Sequence, residues 1–202
     1  MLIGRMIWLY RAPYSTNVQR VTMALAHKGL AHDDVSIPYA DRSAVVAVSG
    51  QELVPVAVVG EEVIAGSMAI VARLEELHPD PPLFPADRAR RAEVELFVDW
   101  FERVWKVAPN AIEAGGDVAA LAPVVAEHLD LFEALLARRA FLFGDFGAAD
   151  CCAYPFLKYA AGRDPADDEP FHRILSEHQS VDGRPNLAGW IERCALRAPD
   201  HR

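Results

Sequence analysis

Three hydroxyl side chains and one amide are adjacent at residues 14–17, the start of the segment YSTNVQR. A short apolar run, RMIWLY, precedes them and is typical of a strand, and apolar residues at Val18, Val21 and Leu25 then follow helical spacing. The free N–H groups and the dipole at the start of a helix favour an anion. A hydroxyl such as that of Ser15 can cap this helix, contact a bound anion, or do both.

A proline interrupts the segment ELVPVAVVGEEVIAG, which otherwise predicts two β-branched strands joined by a turn near Gly60. Proline lacks the N–H that a strand ladder requires. Pro55 therefore lies either on an edge strand, without a further role, or at a bend of the main chain.

Composition predicts a soluble globular protein of one large or two modest domains, since the 202 residues are 52% apolar and 24% charged. The formal net charge of −9 argues against nucleic acid or an anionic membrane as a partner. No run approaches the roughly 18 apolar residues of a membrane span. The N-terminal apolar run lacks a small-residue cleavage site, so we expect a cytoplasmic protein.

The cysteines and histidines predict no metal site and no disulfide framework. Two of the three cysteines are adjacent, Cys151 and Cys152, and none forms a CxxC pair. The seven histidines show no HxxxH or HxH spacing. Arginine outnumbers lysine, and alanine, valine and aspartate are abundant, which hints at a GC-rich bacterial genome.

The order of elements predicts two domains. Strand and helix signals alternate over the first 77 residues, and a segment with four prolines, HPDPPLFPADR, follows. Beyond it only helical periodicity is found. We therefore expect a first domain over 1–78, a linker over 79–87 and an all-helical domain over 88–202.

This organisation resembles that of the glutathione S-transferase family, over nearly the whole chain. The segments that carry the resemblance are YSTNVQRVTMALAHKGL, SGQELVPVAVV, VIAGSMAIVARLEELHP, FLFGDFGAADCCAYPFL and RPNLAGWIERC. It implies an α/β thioredoxin-like N-terminal domain, an all-α C-terminal domain and a homodimer. It also implies a detoxifying transferase that adds glutathione, or another low-molecular-weight thiol, to an apolar small-molecule electrophile.

The resemblance further implies a binding site for the thiol. The bond between Val54 and Pro55 would be cis, and the N–H and C=O of Val54 would pair with the peptide-like ligand. Ser67 would hold the γ-glutamyl carboxylate at a helix N-terminus. Gly66 stands where the family usually has an acidic residue, so another thiol, or none, stays open. The residues before the proline, Gln51 and Glu52, are further candidate contacts.

For the chemistry, the resemblance implies a serine donor five residues before a basic residue, which gives Ser15 ahead of Arg20. Its hydroxyl would stabilise the thiolate, and Tyr14 and Asn17 are alternates. Ala12 replaces the nucleophilic cysteine of a CPYS-type motif, which excludes glutaredoxin-like or omega-like thiol chemistry at that position.

The electrophile is expected between the domains, against the first long helix of the second domain, with Arg103 and Trp105 as candidates. Asp150 is expected to be structural, in a helix-capping role that Gly147 only half supports. Three functions stay open: transferase, thiol-dependent isomerase, and a non-catalytic binding or interaction module with the same fold.

Overall fold

The computed structural model describes residues 6–199 of the chain. The described residues divide into two compact units, one formed by residues 6–83 and 197–199, the other Phe84–Leu196. The division falls inside the segment expected to be a linker. Among the described residues, no helix combines the length and the apolar character that a bilayer crossing requires.

The first unit alternates strands and helices, as the sequence pattern predicts. Its elements are β1 (Ile7–Arg11), α1 (Thr16–Lys28), β2 (Asp33–Ser36), α2 (Ser43–Ser49), β3 (Val56–Val59), β4 (Glu62–Ala65) and α3 (Ser67–Leu77). The strand order is β2-β1-β3-β4, with β1 parallel to β2 and the other pairs antiparallel. This is a thioredoxin-like unit, and the predicted α/β class is confirmed.

The core of the first unit follows the strand alternation. Ile7 and Leu9 are buried and the intervening Trp8 is 40% exposed, so the two faces of β1 differ in exposure. Helices α1 and α3 pack on each other. Gly29 ends α1 in the left-handed conformation with φ 63°, which glycine adopts without a steric penalty.

A buried ion pair joins α1 to α3. Lys28 Nζ donates to Glu75 Oε2 at 2.6 Å, to the His78 carbonyl at 2.6 Å and to the Pro81 carbonyl at 2.9 Å. The Lys28 side chain is 0% exposed and that of Glu75 is 9% exposed. The same carboxylate oxygen accepts the Leu83 N–H at 2.9 Å. One cation therefore holds the last turn of α3 and the segment that follows it.

The second unit is helical, as expected. Its elements are α4 (Arg88–Trp100), a π-helical turn (Phe101–Trp105), α5 (Val107–Glu113), α6 (Val118–Leu135), α7 (Ala148–Leu157), a 3₁₀ turn (Lys158–Ala161), α8 (Pro170–His178) and α9 (Pro185–Ala195). The core is aromatic: Phe101 stacks on Trp105 with ring centroids 4.4 Å apart, and both contact Phe156 edge-on.

Asp150 organises the start of α7. Its carboxylate accepts the N–H groups of Gly147 at 3.0 Å and Leu142 at 3.0 Å, and the indole N–H of Trp190 at 2.7 Å. Burial raises the pKa of Asp150 to about 6, although these donors act in the opposite direction. Gly147 supplies only its backbone to this cap, so Asp150 is the side chain that ties α7 to α9.

Candidate functional site

Three candidate segments of the first unit meet at one edge of its sheet. Since β3 is antiparallel to β1, with Tyr10 opposite Val56, β3 begins where β1 ends. Since β4 is antiparallel to β3, with Val56 opposite Ala65, β4 ends at the same place. The start of α1, the residue before Pro55 and the start of α3 therefore converge. We call this edge, defined by Ser15, Val54 and Ser67, the donor edge.

Ser15 is the N-cap of α1. Its Oγ accepts the Val18 N–H at 3.3 Å, which satisfies one of the free donors of the first turn. A hydroxyl has one proton to donate as well as lone pairs to accept. Capping therefore uses an acceptor site of Ser15 and leaves its proton available to an anion. The two roles that the sequence allowed for Ser15 are chemically compatible in this geometry.

The loop before Ser15 is tied down and locally strained. Tyr14 has a φ of 57°, which is uncommon for a large side chain. The Pro13 carbonyl accepts the Tyr39 hydroxyl at 3.0 Å, which links this loop to the segment before α2. Backbone strain of this kind is often found at functional sites. The strained loop leads directly into Ser15, the residue that caps α1.

The residue before Pro55 offers unused main-chain groups. The Val54–Pro55 bond is cis. Within residues 6–199, neither the N–H nor the C=O of Val54 makes a hydrogen bond, whereas the Pro55 carbonyl accepts the Gly66 N–H at 3.3 Å. A half-buried residue with both groups unused can pair with an extended peptide.

Ser67 is the first residue of α3 and is 7% exposed. Gly66, its N-cap, has a φ of 94° and a ψ of 131° and makes no side-chain cap. A Cβ added to Gly66 would meet nothing within 4 Å, so space does not select glycine here. The backbone conformation does, because residues with a Cβ rarely adopt such a φ.

Replacing Gly66 with alanine should therefore destabilise the protein by about 1–2 kcal/mol, through backbone strain alone. The measurement is the free energy of unfolding in urea. The matched control is Gly189→Ala within α9, where the added Cβ approaches the terminal Nη1 of the Arg193 side chain at 3.1 Å. That variant should be neutral or more stable by up to about 1 kcal/mol. Equal effects at the two glycines would contradict the strain argument.

Arg20 connects two of the three segments and was not predicted to do so. It is 0% exposed, and its Nη1 donates to Asn17 Oδ1 at 3.3 Å and to Ser67 Oγ at 3.3 Å. Sequence reasoning used Arg20 only to locate Ser15. No sequence signal marked this role, because helical spacing places Arg20 on a different face of α1 from Val18, Val21 and Leu25.

The two polar residues before Pro55 differ in their engagement. The Gln51 amide donates to the Leu53 carbonyl at 2.8 Å and accepts the Leu53 N–H at 3.0 Å. Gln51 thus shapes its own loop in this conformation. Glu52 is exposed, and Leu53 is 75% exposed.

The candidate pocket residues of the second unit have contrasting surroundings. Arg103 is exposed and pairs with Asp99 one turn earlier in the chain. Trp105 is 1% exposed and stacks in the aromatic core. Both lie in the π-helical turn after α4, a type of irregularity that is frequent at functional sites. Across residues 6–199, no cluster of three or more histidine, cysteine or acidic side chains is arranged to hold a metal.

Comparison with known proteins identifies the family. The model of the glutathione S-transferase N-terminal domain matches residues 9–82, and that of the C-terminal domain matches residues 61–193.

Two relatives cover most of the chain. A probable maleylacetoacetate isomerase of Caenorhabditis elegans is 29% identical over 168 residues, which are 77% of this chain and 78% of that protein. A maleylpyruvate isomerase of a Ralstonia species is 29% identical over 188 residues, or 82% and 87% of the two chains.

Among solved structures, a glutathione S-transferase from Rhodospirillum rubrum F11 superposes with a TM-score of 0.67 at 30% identity. The match covers 92% of this chain and 91% of that one. The resemblance predicted from the five sequence segments is confirmed. With an N-terminal and a C-terminal family model matched in order along it, the chain belongs to the glutathione S-transferase family.

Proposed function

We propose that this protein is a glutathione-dependent isomerase that acts on a cis double bond conjugated to carbonyl groups. The observation that carries the proposal is the donor edge. A serine hydroxyl, the unused N–H and C=O of Val54 and a helix N-terminus meet there within one unit. The names of the two relatives favour isomerisation over simple conjugation, since maleylacetoacetate and maleylpyruvate both contain a cis-butenedioyl group.

The residues present fit a peptide thiol. The N–H and C=O of Val54 suit the main chain of a cysteinyl residue, paired as an added strand. The Ser67 hydroxyl and the free N–H groups of α3 suit a carboxylate. Gly66 supplies no acidic partner for an ammonium group. The loss of one charged hydrogen bond, worth about 1.5–3 kcal/mol, would weaken glutathione binding roughly tenfold to a hundredfold.

When bound, glutathione would supply a thiolate that adds reversibly to the double bond, so that the resulting single bond could rotate before the same thiolate leaves and the double bond re-forms. The Ser15 hydroxyl donates a hydrogen bond to the sulfur, while its oxygen still accepts the Val18 N–H. This interaction favours the charged thiolate over the thiol and lowers its pKa. Val54 and Ser67 fix the position of the peptide, and therefore that of its sulfur.

The electrophile is assigned to the second unit. Arg103 is exposed and cationic and is our candidate for contacting a substrate carboxylate in place of Asp99. Trp105 is buried and would act through packing of the π-helical turn.

We also propose, from the family resemblance, a homodimer in the bacterial cytoplasm. Light scattering on the purified protein tests the dimer.

A second candidate is a non-catalytic binding module, which Gly66 favours because the usual acidic residue is missing.

The deciding experiment combines ligand stabilisation with turnover. Glutathione at a hundred times its Kd should stabilise the protein by about 2.7 kcal/mol. Maleylpyruvate and maleylacetoacetate should convert to their trans isomers only with glutathione present, and glutathione should not be consumed.

Other outcomes exclude the proposal in distinct ways. Accumulation of a glutathione conjugate would make the protein a transferase. Stabilisation by mycothiol but not by glutathione would identify mycothiol, rather than glutathione, as the thiol that the protein binds. No stabilisation by either thiol, together with no turnover, would leave the binding module.

A further inference from the structure

Arg20 lies behind the donor edge, out of contact with solvent, and its side chain spans two helices. Residue 20 is in the second turn of α1, and its Nη1 reaches Asn17 in the first turn of α1 and Ser67 in the first turn of α3. Both distances are 3.3 Å. The guanidinium group is therefore a fixed link between the two helix N-termini of the edge.

Both partners of Arg20 are side chains that can either donate or accept. An amide has an accepting oxygen and a donating NH₂ group, and a hydroxyl does both. Arg20 has no acceptor to offer, so each partner must present its oxygen to it. Asn17 is left with its NH₂ group for other contacts, and Ser67 is left with its hydroxyl proton. A buried cation thus sets the direction of both hydrogen-bonding groups.

We infer that Arg20 is a positioning residue that holds Asn17 and Ser67 as hydrogen-bond donors toward an anionic ligand at the donor edge. This inference rests on the proposed thiol site and adds a specificity determinant to it. The edge then selects a ligand that accepts hydrogen bonds at both helix starts. A thiolate and a carboxylate are such acceptors, whereas an ammonium group would meet the positive charge of Arg20 and two oxygens that already accept from it.

The test uses two ligands and three variants of the full chain. S-methylglutathione has no ionisable thiol, so its Kd reports the peptide and carboxylate contacts. The ultraviolet absorbance of bound glutathione against pH reports the ionisation of the thiol. The variants are Arg20→Met, Arg20→Lys and the control Arg73→Met. Arg73 lies in α3 and pairs on the surface with Glu62 and Glu76.

For Arg20→Met we expect the Kd of S-methylglutathione to rise about tenfold, and half-ionisation of the bound thiol to move up by about one pH unit. Arg20→Lys keeps the charge and three donors, and should restore part of both properties. Arg73→Met should match the wild type in both. The inference would be overturned if the bound thiol were half ionised at the same pH in Arg20→Met as in the wild type, since a purely structural role predicts that result.

Because Arg20 is buried, Arg20→Met can fail to fold, and a double-mutant cycle then decides. Arg20→Lys and Ser67→Ala are measured singly and together with S-methylglutathione. If Arg20 acts through Ser67, the combined rise in Kd is smaller than the product of the single effects. Multiplicative effects overturn the inference. A wild type that binds neither ligand refutes the proposed function itself, whereas binding unchanged by the Arg20 variants refutes the role of Arg20 alone.

Discussion

Replacing Ser15 with alanine should raise the pKa of the bound thiol by about one to two units and slow glutathione-dependent turnover at neutral pH about tenfold to a hundredfold. The reason is the loss of one hydrogen bond to a charged group, worth about 1.5–3 kcal/mol. The measurements are kcat/KM for the isomerisation and the absorbance of the bound thiolate as a function of pH.

Alanine also removes the cap of α1, which costs about 1 kcal/mol of stability. Ser15→Gly separates the two effects, because glycine caps a helix at a cost of only a few tenths of a kcal/mol and has no hydroxyl. Both variants should lose the same activity while differing in stability. Full activity in Ser15→Gly would transfer the donor role to Asn17 or Tyr14.

Replacing Lys28 with methionine should lower the free energy of unfolding by about 3–5 kcal/mol. This change leaves the Glu75 carboxylate buried without the ammonium group 2.6 Å away, and an uncompensated buried charge is strongly destabilising. It also removes the donor to the carbonyls of His78 and Pro81. Urea denaturation followed by circular dichroism measures the loss.

Two further variants test the cause. Arg91 pairs with Glu95 on the surface of α4, with side chains 40% and 57% exposed, so Arg91→Met should cost less than about 1 kcal/mol. Adding Glu75→Gln to Lys28→Met removes the orphaned charge and should recover part of the stability. A Lys28→Met protein within 1 kcal/mol of the wild type, or a double variant less stable than the single one, would refute the argument.

The sequence predicted the elements of the first unit closely, because each begins or ends at a residue with a local signal. Gly29 ends α1 and Ser67 begins α3, as proposed from the sequence. The segment DRSAVVAVSG predicts a short helix capped by Asp41, whereas α2 begins at Ser43 after Arg42. Asp41 instead accepts the Ser43 N–H at 2.9 Å. The signal was correct to within two residues.

Long helices were less well resolved by periodicity. Apolar spacing from Val94 to Trp105 predicts one continuous helix, but α4 ends at Trp100 and continues as a π-helical turn. A π turn shifts the register of side chains by a fraction of a turn, which a pattern of threes and fours does not distinguish. This is why periodicity could not say whether Trp105 faces a pocket or the core.

The candidate site was predictable to the extent that it depends on helix ends. A capping or anion-binding role for Ser15 follows from its position before a predicted helix, whereas the roles of Pro55 and Ser67 were implied by the family resemblance. The role of Arg20 follows from neither, because its contacts join residues 47 positions apart and depend on how α1 packs on α3. The conformation of Gly66 could not be predicted either. A glycine at this position is equally consistent with the loss of an acidic side chain and with a backbone that requires a positive φ.

The donor edge is encoded entirely between residues 15 and 67, inside the unit that ends at Leu83. Evolution, or a recombination experiment, can therefore vary the codons after that for Leu83 while the three residues that define the donor edge are inherited unchanged.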